Sequence, residues 1–228
     1  MIKNSRKTAL ILGVLFLLVM VSWTVGYAIS AQIINTENNL LNIFPNRSVM
    51  FLGAIFELIN IAAIIGIVVV MYPLMKKISE RMSIWYASFR IIESVLLTIS
   101  ILCLLAIITL SEKFINAGST QPDYYNLLGE LFITVRDNWV HLILPFFYSS
   151  AAFVFYYFFY KTKLIPRFIS IIGIIASVLL LIGIPMDFFN FEPGTYVGVV
   201  GGLNELLLSA WLIIKGFNKE ALAQYKLI

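Results

Sequence analysis

Glu57, Asn60, Arg90, Glu93, Asn204 and Glu205 stand inside stretches of sequence that are otherwise almost wholly apolar. Between Met82 and Leu110, the residues Ser83, Tyr86, Arg90, Glu93 and Ser100 recur at steps of three, four and seven, which puts them on one face of a helix. Gly53, Glu57 and Asn60 form a similar stripe, and so do Gly198, Gly202, Glu205 and Ser209, with Asn204 beside them. Asp137 and His141 are one turn apart, and Tyr148 follows two turns later. A guanidinium stays protonated, whereas three carboxylates around one cation cannot all stay ionised in a dry site. At least one of Glu57, Glu93 and Glu205 is therefore expected to be protonated, unless a cation or small-molecule ligand completes the site. The competing reading is a polar clamp that holds helices in register. The spacing alone does not separate the two.

The elements that would position these groups follow from composition. Of 228 residues, 61% are hydrophobic and only 12% charged, a balance outside the soluble range that reads as an integral membrane protein. Windows of roughly 20 apolar residues, enough to cross a bilayer core, occur six times. They lie at about 8–30, 49–75, 82–110, 138–160, 168–189 and 196–216. The expected fold is all-α, a polytopic six-helix transmembrane bundle forming a single domain over residues 1–228. Lys3, Arg6, Lys7, Lys76, Lys77, Arg81, Lys161, Lys163, Arg167, Lys215, Lys219 and Lys226 fall in segments that must share one side, against Arg47 and Lys113 on the other. By the positive-inside rule both termini are cytoplasmic. A cleavable signal ending at Ala28-Ile29-Ser30 is the alternative for the first span, but the apolar run is about twice the usual length of a signal core.

At a rise of ~1.5 Å per residue, Glu57 and Glu205 fall roughly 12 to 14 Å below the outer surface, with Glu93 near the same level. One common site with Arg90 as its cation is the expectation. Each charge near the bilayer centre costs ~2.5 to 3.5 kcal/mol, so such groups turn inward and find partners. In the segment 111–137, apolar residues recur at Tyr125, Leu128, Leu131, Phe132 and Val135. A continuous helix from Tyr124 to Tyr160 would overshoot the bilayer, so the spacing predicts an interfacial amphipathic helix that turns into span four near Arg136, Asp137 and Asn138. Arg136, Asp137, His141 and Asp187, with Glu192, would then form an outer mouth.

Several chemistries are excluded. Cys103 has no partner for a disulfide or a thiolate cluster. A single histidine leaves no His-Glu-x-x-His zinc helix and no bis-histidine haem, and His141 with Asp137 reads as a hydrogen-bonded interface pair rather than a metal site. No Gly-x-Ser elbow lies in a span and no phosphate-binding loop is present, so no catalytic residue, metal or cofactor is assigned. The basic residues flank spans instead of forming a nucleic-acid surface. Gly194, Gly198 and Gly202 read as a close helix-packing stripe. The partners implied are the lipid bilayer and a small-molecule, cation or proton ligand, with an oligomer left open. A small transporter or permease ranks first, a non-catalytic scaffold or partner subunit second, and an intramembrane enzyme last.

The stretches KTALILGVLFLLVMVSWTVGYAIS, FELIN, YPLMKK, FRIIES, VRD, YKTKLIPRFIS and NELLLSAWLIIKGF occur in that order along the chain. In these segments the chain resembles a bacterial membrane family catalogued as domain of unknown function 4386. The resemblance covers nearly the whole length and implies a six-helix protein of the bacterial cell membrane. It implies no activity. The polar residues that match its pattern are Glu57, Arg90, Glu93, Arg136, Asp137, Asn204 and Glu205; His141 is outside it.

Overall fold

A backbone removed from water must satisfy its own N–H and C=O groups, and long runs of Leu, Ile, Val, Ala and Phe achieve this as helices. The computed structural model of the protein describes residues 5–36, 39–118, 122–187 and 193–225. Within them every regular element is helical: α1 (Ser5–Ile34), α2 (Asn39–Ile43), α3 (Arg47–Lys76), α4 (Glu80–Asn116), α5 (Pro122–Ile133), a π-helical segment (Thr134–Val140), α6 (His141–Thr162), α7 (Arg167–Asp187), α8 (Pro193–Ile214) and α9 (Lys219–Gln224). Four stretches, Ser5–Ile34, Arg47–Lys76, Glu80–Asn116 and Asp123–Thr162, are long and apolar enough to cross a membrane; Arg167–Gly183 and Gly198–Ile214 are shorter apolar helices. Large aliphatic side chains face outward along them, Val69 and Ile214 being 67% and 69% exposed. So much outward apolar surface suits lipid rather than water.

The expected turn before span four is not there. The chain is helical without interruption from Pro122 to Thr162. Near Arg136 it widens into the π-helical segment, whose i→i+5 hydrogen bonds keep the chain helical. Pro145, which lacks an N–H, follows close behind in α6. Nor does the apolar face of α5 lie free along a membrane surface. Tyr125 and Leu128 pack against Leu40, Leu110 and Phe114.

The chain divides into two packing units. The first comprises Met1–Val19, Ala63–Glu93 and Pro145–Ile228. Its core is aromatic, with Phe155 meeting Phe16 at 5.3 Å, Tyr86 at 5.7 Å and Phe159 at 4.8 Å between ring centroids. Its helix ends are capped locally. Gly216 takes a positive φ of 76° and its N–H returns to the Trp211 carbonyl, closing α8 in the way glycine does best. Arg6 donates to the Leu212, Ile213 and Ile214 carbonyls left over at that end. Asn218 accepts from the Glu220 N–H to start α9.

The second unit comprises Met20–Ala62 and Ser94–Leu144. Its core gathers Ile34, Ile43, Met50, Ala54, Ile101, Leu104, Ile107 and Ile108. Here α1 and α3 touch backbone to backbone, because a Cβ on Gly26 would meet the Gly53 carbonyl oxygen and Glu57 Cγ at 3.0 Å. Gly198, Gly201 and Gly202 of α8 show no such contact among the described residues. Among the described residues nothing comes within 4 Å of a Cβ built at Gly198 or Gly202, so the close contact expected of that stripe is not seen there; Gly194 lies outside the described side chains.

Candidate functional site

In the first unit, the i,i+3 spacing on α4 carries Arg90 and Glu93 to the same side. Arg90 Nη1 donates to Glu93 Oε1 at 3.1 Å and Oε2 at 3.0 Å, and both side chains are buried. The guanidinium lies over the rings of Tyr86, 5.8 Å, and Tyr148, 5.4 Å. Tyr148, from α6, donates its hydroxyl to Glu205 Oε1 of α8 at 2.7 Å. Glu205 is 7% exposed and within electrostatic reach of Arg90. Arg90, Glu93, Glu205 and two tyrosines thus form one buried cluster with a single cation and two carboxylates. Asn204 is buried nearby and donates Nδ2 to the Ile169 carbonyl, fastening α8 to α7.

In the second unit, Arg136 sits mid-way along the π-helical segment and is 1% exposed. Its Nη2 donates to Glu57 Oε1 at 2.5 Å and to Ser30 Oγ at 3.0 Å. Its Nη1 donates to Glu57 Oε2 at 3.2 Å and to the Ser100 carbonyl and hydroxyl at 3.1 and 3.2 Å. The two-pronged carboxylate contact is the geometry a planar guanidinium favours. Asp137 Oδ1 lies 3.4 Å from Arg136 Nε. His141 Nδ1 donates to the Arg136 carbonyl at 3.0 Å, and its ring meets Tyr27 edge-on. Trp23, Tyr27, Asn60 and His141 border a cavity of about 10 Å³ beside this cluster, room for about one water. Once more one cation faces two carboxylates.

The cation hydrogen-bonded to Glu57 is Arg136, not the Arg90 expected from counting residues. Glu57 and Asn60 belong to the second unit, where Glu57 is paired with Arg136 and Asn60 borders the same small cavity. Arg136 is not part of a solvated rim, because the uninterrupted helix carries it into the packed interior, and Asp137 and His141 accompany it. The side chain of Asp187 and all of Glu192 lie outside the described residues. One contributor, Ser30, and one pairing, Glu57 with Arg136, were not anticipated. Ser30 carries a sequence signal, since Ser22, Gly26 and Ser30 form a small-residue stripe on α1 at four-residue spacing. The pairing of Glu57 with Arg136 has none, because the two are 79 positions apart. Among the described residues no three His, Cys, Asp or Glu side chains gather as a metal site would require.

Chemically, each cluster carries one more carboxylate than it has arginine. A proton or a small cation would balance it, and Tyr148 offers a hydroxyl through which a proton on Glu205 could be exchanged. In comparison with known proteins, the family model described as Domain of unknown function (DUF4386) matches residues 11–216. No curated protein and no solved structure matches.

Proposed function

The chain belongs to the DUF4386 family, a domain of unknown function, and from that premise we propose that it is a six-span protein of the bacterial cell membrane that works as a small transporter or permease. The observation that carries this reading is the surplus carboxylate beside each buried arginine. A clamp serving only to hold helices is most stable when its charges cancel, whereas a site that loads and releases a proton or cation needs an acid left over. Glu205, held by the neutral Tyr148 hydroxyl, is the group proposed to do so in the first unit; Asp137, 21% exposed, is its counterpart in the second.

A charge-displacement measurement tests this. Membranes bearing the purified protein on a solid support should give a transient current on a step in pH or in sodium concentration, and Glu205→Gln should remove most of it. A wild-type protein that gives no current under either step would leave the second reading, a scaffold or partner subunit. That reading has its own support: both terminal nitrogens of Arg136 are hydrogen-bonded, to Glu57, Ser30 and Ser100, and the cavity beside it has room for only about one water.

The proposed orientation puts both termini and the segments around Lys77 and Lys161 in the cytoplasm. It rests on the placement of basic residues. In a Cys103→Ala background, a membrane-impermeant thiol reagent applied outside intact cells should label Ser119→Cys and spare Lys77→Cys and Lys161→Cys. The reverse pattern would invert the topology.

A further inference from the structure

We propose that a basic cleft in the first unit, where α6 ends, α7 begins and α8 ends, binds the phosphate of an anionic glycerophospholipid. The cleft measures about 420 Å³ and is lined by Lys163, Arg167, Lys215, Trp211 and Phe217 among others, a volume in the range of sites that take small molecules. Among the described residues no aspartate or glutamate lines it. The three cations are exposed, so their charge is available.

Two features fix the places of Lys163 and Arg167. Lys163 holds a left-handed backbone with φ 56°, a conformation normally left to glycine or asparagine, while its N–H donates to the Phe159 carbonyl. Arg167 is steadied over the Tyr160 ring at 5.3 Å and is the first residue of α7, whose free N–H groups add partial positive charge at the same place. The location favours a lipid over a free ion. Three apolar helices reach their ends here, which is where hydrocarbon gives way to water, and Phe168 and Ile214, next in sequence to the lining residues, are 50% and 69% exposed. Acyl chains can lie against them while the headgroup phosphate enters the cleft.

The test is thermal unfolding of the full chain in a neutral detergent, titrated with dioleoyl phosphatidylglycerol, dioleoyl phosphatidylcholine or sodium phosphate. Phosphatidylglycerol should raise the unfolding midpoint, and the other two should not at equal concentration. Lys215→Gln and Arg167→Gln should each raise the half-saturating phosphatidylglycerol concentration about fivefold, the effect of one surface cation near an anionic headgroup. Lys163→Asn, which keeps a residue suited to positive φ, should do the same and guards against misfolding of the other variants. Arg47→Gln, in the second unit, should leave the titration unchanged. Equal stabilisation by phosphatidylcholine, or cleft variants that titrate like wild type, would overturn the proposal. Equal stabilisation by sodium phosphate would make the ligand a free anion and overturn the lipid.

Discussion

Arg136→Ala is expected to destabilise the protein by about 3 to 5 kcal/mol, the usual loss when one member of a buried charge pair is removed. The side chain is 1% exposed and donates to Glu57, Ser30 and Ser100. Its loss strands the Glu57 carboxylate, itself only 11% exposed, beside acceptors and no cation. Arg136→Lys should recover little, because one ammonium cannot replace a planar fork that reaches both carboxylate oxygens and two serines. Arg136→Met combined with Glu57→Met should lie well above Arg136→Ala in stability, since removing both charges removes the stranded one. Thermal unfolding in detergent, closed as a double-mutant cycle, reads the coupling. A cycle that closes additively, or an Arg136→Ala protein within about 1 kcal/mol of wild type, would mean that Arg136 and Glu57 do not hold each other as described.

This pair also shows where the sequence stops being informative. Helix type and approximate extent are legible from hydropathy, because apolar runs of this length have few other ways to satisfy their backbone. Arg90 and Glu93 are legible as neighbours, because they are three residues apart on one helix. Glu57 and Arg136 are not, since the helix carrying Arg136 was expected to break there. Nothing in TVRDNWV distinguishes a turn at a membrane surface from a widened helical turn that stays buried. Counting residues from an assumed boundary placed Glu57 level with Glu93, and level acids invite grouping. Depth, however, says nothing of which neighbouring helix supplies the cation. Small residues mislead in the same way: Gly26 and Gly53 bring two backbones together, whereas Gly198 and Gly202, at a cleaner spacing, meet nothing among the described residues.

The second large effect is expected at Arg90, where the structure makes the outcome of each deletion distinct. Arg90→Ala should cost about 3 to 5 kcal/mol, because Glu93 and Glu205 both lose their cation. Adding Glu93→Ala should return part of that loss, since the acid nearest Arg90, at 3.0 and 3.1 Å, no longer remains unpaired. It should not return all of it, because among the described residues Glu205 keeps only the Tyr148 hydroxyl as a donor. Glu205→Gln on its own should be mild, as an amide oxygen can still accept from Tyr148 and Arg90 keeps Glu93. Tyr148→Phe should be similarly mild in unfolding experiments. The contrast between stability and charge movement then separates structure from function. If Glu205→Gln and Tyr148→Phe leave unfolding nearly unchanged but abolish or slow the current that follows a pH step, Glu205 is the loading group and Tyr148 its proton route. If both variants carry the wild-type current, the surplus carboxylate beside Arg90 has no part in transport, and the buried cluster serves to hold α4, α6 and α8 together.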